Sequence, residues 1–170
     1  MKKLSAAFAG IVVCGLMATP VYAQVMGFNG KWSINHEKSQ GPLAATEILT
    51  YVVTADEEHY IVDEVEKDGR KFNTEYRAKF DGKEYANKNL VTGAVNYVKI
   101  RKVFDRVEQL TNIRHVKGTD GKDESQITGY YIRVLSLDGK SITSTLTNAE
   151  GQVTAVRVFD KVEDGAKPKG

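Results

Sequence analysis

The sequence predicts an all-β protein: a single antiparallel up-and-down barrel of about ten strands. Three observations carry this. Asp-Gly or Glu-Gly stands between alternating runs five times, at Asp68-Gly69, Asp81-Gly82, Asp120-Gly121, Asp138-Gly139 and Glu150-Gly151. Such dipeptides between alternating runs are the strongest short-range hairpin signal, because both residues tolerate positive φ. Between the turns, apolar and polar residues alternate with a period of two, and no long segment has a helical period with caps.

The strands follow in order at roughly 30–36, 46–55, 58–67, 70–80, 83–88, 94–103, 106–117, 124–136, 140–147 and 152–162. The fourth is the clearest. Phe72, Thr74, Tyr76, Ala78 and Phe80 fall on one face, with Lys71, Asn73, Glu75, Arg77 and Lys79 on the other. In the ninth, Ile142, Ser144 and Leu146 oppose Thr143, Thr145 and Thr147. Most links are of hairpin length, so consecutive strands pair. A long antiparallel sheet with one apolar face curls and closes, which removes its edges. A Greek-key sandwich is the runner-up, and it needs longer crossovers than these hairpins supply.

The chain divides into a leader at 1–23, a barrel domain at 24–162 and a tail at 163–170 that reads as disordered. Lys2 and Lys3 precede an apolar, Ala-rich stretch, and Val21-Tyr22-Ala23 offers a small-residue cleavage site. That pattern predicts a signal peptide cleaved after Ala23 and a periplasmic or secreted product. The minor alternative is a lipoprotein anchored through Cys14, the chain's single cysteine. The apolar run is shorter than the roughly 20 residues a membrane-spanning helix needs, so no transmembrane segment is expected.

Taking Lys2 and Lys3 off the 24 basic residues leaves 22 against 22 acidic ones, with the signs interleaved. This balance argues against nucleic acid, which wants a concentrated basic footprint. His36, His59 and His115 are scattered, without metal-ligand spacing. Neither a metal nor a cofactor is expected.

Within this frame, Gly30-Lys31-Trp32 on the first strand resembles the Gly-x-Trp of the calycins, the superfamily of lipocalins and fatty-acid-binding proteins. Val156-Arg157-Val158-Phe159-Asp160-Lys161 resembles the last strand of the fatty-acid-binding proteins, where an Arg precedes a Tyr by two residues. Here Phe159 takes the Tyr position, and the short link from Asn35 to Glu47 leaves no room for those proteins' helical lid. The runs "GKWSINHEKSQGP", "YRAKFDGKEY", "SLDGKSITSTLTNAEGQ" and "VRVFDKVE" resemble an exported bacterial lipocalin-like family with no assigned activity. The resemblance implies a barrel with Trp32 near its closed end and Arg157 packed against it; Trp32 reads as a core plug or as a wall of the ligand site.

Arg157 has three readings: stacked on Trp32, turned into the lumen toward an anion, or exposed. The central strands carry the most informative faces. Ile127, Gly129, Tyr131, Arg133 and Leu135 share one, a mixture of apolar, aromatic and cationic groups suited to an amphipathic guest. Alternation nominates Phe72, Tyr76, Phe80, Val98, Ile100, Tyr131 and Arg133 as lumen lining, with Arg157 as an anion contact. Asp63, Glu64 and Glu66 read as hairpin charge.

The leading function is non-catalytic binding of a small hydrophobic or amphipathic molecule in the lumen. Two others stay open. An isomerase or lyase acting on a bound guest predicts a titratable group with a shifted pKa in the cavity. A structural or interaction barrel predicts no cavity.

Overall fold

The computed structural model describes residues 27–163. The leader with its Ala23 cleavage site and Cys14, and the tail beyond Glu163, lie outside the described residues. Ten strands are present: β1 (Gly30–Ile34), β2 (Thr46–Val53), β3 (Glu57–Val65), β4 (Lys71–Lys79), β5 (Tyr85–Asn89), β6 (Val95–Phe104), β7 (Val107–Lys117), β8 (Asp123–Leu135), β9 (Ser141–Thr147) and β10 (Val153–Lys161). Each pairs antiparallel with its neighbours in sequence, and β1 pairs with both β2 and β10 to close the barrel.

The hairpins differ in detail from the expected two-residue turns. Among the described residues no residue other than glycine has positive φ. The aspartates therefore stay right-handed. Gly69 (φ 85°) and Gly139 (φ 67°) supply the left-handed step, each donating its N–H three residues back, to Glu66 O and Ser136 O. This is a type I turn closed by a glycine bulge. The Asp contributes differently, as a side-chain acceptor. Asp68, Asp81, Asp120 and Asp138 each accept the backbone N–H two residues on through Oδ1. The repeated Asp-Gly-Lys thus encodes a side-chain acceptor followed by a left-handed residue.

Alternation sets what points inward. Trp32, Ile34, Leu49, Tyr51, Ile100, Leu135, Ile142 and Phe159 are buried in one continuous core that fills one end of the barrel. Cross-strand neighbours extend the inward rows around the wall. One hoop runs Tyr51, Tyr60, Tyr76, Asn87, Asn96. Another runs Glu108, Arg133, Ser144, Arg157. Of these rows, Tyr60, Tyr76, Asn87, Asn96, Arg133 and Arg157 line the space that the core leaves open.

The period breaks once where it matters. The β7–β8 register shifts between Asn112 and Ile113, leaving Thr128 as the extra residue. Thr128 reaches the lumen, while Ile127, which alternation groups with Gly129 and Tyr131, is exposed on the outside. Gly129 is required beside the bulge, because a Cβ there would collide with the Thr147 carbonyl oxygen of β9.

Candidate ligand site in the barrel lumen

Above the core the barrel wall borders a cavity of about 310 Å³ that opens to solvent. Its wall is mixed. Val62, Val98 and Leu110 are apolar; Tyr60, Tyr76 and Tyr131 are aromatic. Thr74, Asn87, Asn89, Asn96, Asn112 and Thr128 are neutral and polar, and Glu47, Glu64, Arg133 and Arg157 can carry charge.

The floor is a polar cluster held on four strands. Glu58 of β3 and Glu108 of β7 are 0% exposed, and Arg133 of β8 is 4% exposed. Tyr76 of β4 donates its hydroxyl to Glu58 Oε1 at 2.5 Å. Arg133 Nη1 donates to the same oxygen at 3.2 Å and to the Tyr76 hydroxyl at 2.9 Å. The guanidinium also lies over the Tyr60 ring, 4.2 Å from its centroid. Tyr60 in turn packs on Tyr51 and Tyr76 at centroid distances of 4.8 and 4.9 Å. Stacking fixes Arg133 in one orientation, and burial makes its bonds to Glu58 strong.

One cation here faces two carboxyl groups. Glu58 Oε2 and both Glu108 oxygens lack a hydrogen-bond donor. Burial, reinforced by the neighbouring Glu58, pushes the Glu108 carboxyl well above its usual range, against the pull of Arg133. Burial therefore favours the protonated form of Glu108. That proton turns it from a third acceptor into a donor toward Glu58, the arrangement two adjacent carboxyls adopt when both cannot ionise.

The upper wall has a second ion pair. Arg157 Nη1 donates to both Glu47 oxygens, at 3.0 and 2.9 Å. Burial nonetheless raises the Glu47 carboxyl, because its desolvation outweighs Arg157. Directly across the β2–β3 ladder sits Glu64. Its carboxyl is pushed up to about 7 by burial and then by the charge of Glu47, with Arg157 opposing.

Of the residues nominated from sequence, Tyr76, Val98, Tyr131, Arg133 and Arg157 line the cavity. Three do not. Ile100 is fully buried in the core beneath it. Phe80 is half-buried against that core with Lys102 Nζ 5.3 Å from its ring centroid, and Phe72 is half-buried with Arg70 over it. Trp32 is 0% exposed, sits in the core and bonds through Nε1 to Phe28 O at 2.8 Å.

The Trp32–Arg157 pairing implied by the resemblance is not formed. Lys161 is the cross-strand neighbour of Trp32 and places Nζ 5.2 Å from its ring centroid. Arg157 turns toward the lumen instead, where Glu47 meets it. Glu64, read from sequence as hairpin charge, lies on the cavity wall.

The residues missed, Glu47, Glu58, Glu64 and Glu108, share a signal. Each is the next member of an inward alternating row: Glu47-Leu49-Tyr51, Glu58-Tyr60-Val62-Glu64 and Glu108-Leu110-Asn112. The closed ten-strand antiparallel barrel is consistent with a calycin-like fold, while no family model and no curated protein matches the chain.

Proposed function

We propose that the barrel is a lipocalin-like binding protein that holds a small amphipathic molecule in its lumen without transforming it. The observation that supports this is the cavity of about 310 Å³, at the lower end of ligand-pocket sizes, with aromatic and aliphatic groups beside fixed polar ones. An apolar body fits against Tyr60, Tyr131, Val98 and Leu110. A polar group fits among the asparagines and the Glu47–Arg157 pair. A purely hydrocarbon guest would strip water from the asparagines and Glu64 without replacing it, which costs free energy. The leader pattern extends the reading to an exported carrier, working in the periplasm or outside the cell.

Native mass spectrometry of the mature protein purified from its own host tests this. A reproducible added mass is expected. It should disappear in Thr74→Trp, which places an indole in the lumen from a half-buried position on its wall. Bare protein mass across independent preparations would overturn the reading.

A further inference from the structure

We propose that the guest's polar group is cationic, an ammonium that donates hydrogen bonds, and that Glu64 is its counter-ion. The inference rests on the lumen-binding reading and adds the chemical class of the guest.

Charge matching around the lumen supports it. Each lumen arginine already has a carboxylate partner. Arg157 gives Nη1 to both oxygens of Glu47, and Arg133 gives Nη1 to Glu58 and Tyr76. One-to-one pairing leaves two carboxyl groups over. Glu108 belongs to the buried floor cluster, does not line the cavity, and burial favours its protonated form. Glu64 is on the cavity wall itself; it shares a hydrogen bond with Glu66 and feels the charge of Arg157, whose ion pair goes to Glu47.

The neutral groups point the same way. Asn87 Oδ1 is a buried acceptor without a donor, on a side chain that lines the cavity. Asn96 is its cross-strand neighbour on the same wall. Arg157 Nε is a buried donor without a partner, and its guanidinium charge is already met by Glu47. An ammonium offers three donors and no acceptor, the complement of a lumen wall that carries both a carboxylate and an unmatched carbonyl. An anionic head at the same place would meet Glu47 and Glu64 at close range, and like charges at low dielectric repel strongly.

The state of Glu64 in the guest-free barrel agrees with this. Burial and Glu47 hold its carboxyl up to about 7, so without a guest it is close to half-protonated at neutral pH. An arriving cation stabilises the ionised form and draws the proton off. The tyrosine faces of the wall add attraction for a positive group that a carboxylate would not gain.

Isothermal titration calorimetry at pH 7.5 with three probes of one chain length decides the matter: octylammonium, octanoate and octanol. Octylammonium is expected to bind at least about tenfold more tightly than either other probe, the scale of one charge-assisted hydrogen bond. Glu64→Gln should abolish that preference, so that octylammonium binds the variant no more tightly than octanol binds the same variant. Glu64→Asp, which keeps the charge, should retain most of it. The octanol arm shows whether each variant still has a working lumen. Equal or tighter binding of octanoate, or an octylammonium preference that survives Glu64→Gln, would overturn the cationic assignment while leaving lumen binding intact. Failure of all three probes to bind wild-type protein would overturn both.

Discussion

Glu108 is the direct cross-strand neighbour of Arg133, yet the carboxylate that Arg133 grips is Glu58, 75 residues away in the chain and on another strand. The guanidinium reaches across the floor to Glu58 and Tyr76, and Glu108 is left to solve its burial by protonation. The cluster thus sets one guanidinium against two buried carboxyl groups, and burial favours the protonated form of Glu108. Removing either charge strands the other, whereas neutralising Glu108 for good removes a liability.

Glu108→Gln and Arg133→Ala should therefore shift stability in opposite directions at high pH. The Glu108 pKa is raised in the folded state. Its favourable contribution is full below the ordinary carboxyl pKa and is lost as pH rises from there toward the folded value. Glu47 and Glu64 are raised too and act with the same sign. Urea unfolding of the wild type should give lower stability at pH 8 than at pH 5. Glu108→Gln should flatten that dependence and match or exceed the wild type at pH 8. Arg133→Ala should cost about 3–5 kcal/mol at pH 8, the scale of an unpaired buried charge. A Glu108→Gln variant with the full wild-type pH slope would show that the proton is not on this carboxyl.

How far the sequence reached can be read from these same residues. The ten strands were legible because two local signals agreed: period-two alternation, and Asp-Gly steps whose chemistry acts within four residues. Tyr131 and Arg133 were legible as an unusual pair on one face. The glutamates were not, because a carboxylate in a row such as Glu58-Tyr60-Val62 reads equally well as the charged edge of a hairpin. Which reading holds depends on Arg133 and Arg157, which lie 75 and 110 residues away from Glu58 and Glu47 and arrive only when the barrel closes. The Trp32 partner was misjudged for a related reason. Strand β10 offers two cations, Arg157 and Lys161, and only the β1–β10 register decides between them.

That register makes Trp32 a reporter with a defined blind spot. It is the chain's single tryptophan, fully buried, with its Nε1 bonded to a backbone carbonyl and its side chain absent from the lumen wall. Its emission should be blue-shifted and poorly quenched by acrylamide. Addition of a lumen-binding amphiphile at saturation should leave the emission maximum unchanged. Global unfolding in urea should move it to the red in a single transition. A ligand-induced shift in the native protein would show that Trp32 touches the guest, and that the plug and the binding wall are one structure.

Arg157→Ala isolates the upper ion pair. Without the guanidinium, Glu47 loses its hydrogen bonds from Nη1 and the charge that opposes its desolvation. Its carboxyl then rises further above the ordinary range. At pH 4 Glu47 is largely protonated in both folded proteins, so the ion pair contributes little to the difference between them. As pH rises the wild type can ionise Glu47 against Arg157, whereas the variant must either bury a lone carboxylate or bind a proton. The destabilisation should therefore grow with pH, to about 1–3 kcal/mol at pH 7, the usual cost of an unsatisfied buried polar group. Adding Glu47→Gln should recover most of that loss, because a neutral amide needs no counter-ion. Equal losses at pH 4 and pH 7 would mean that Arg157 contributes by packing its side-chain stem rather than by holding Glu47 ionised.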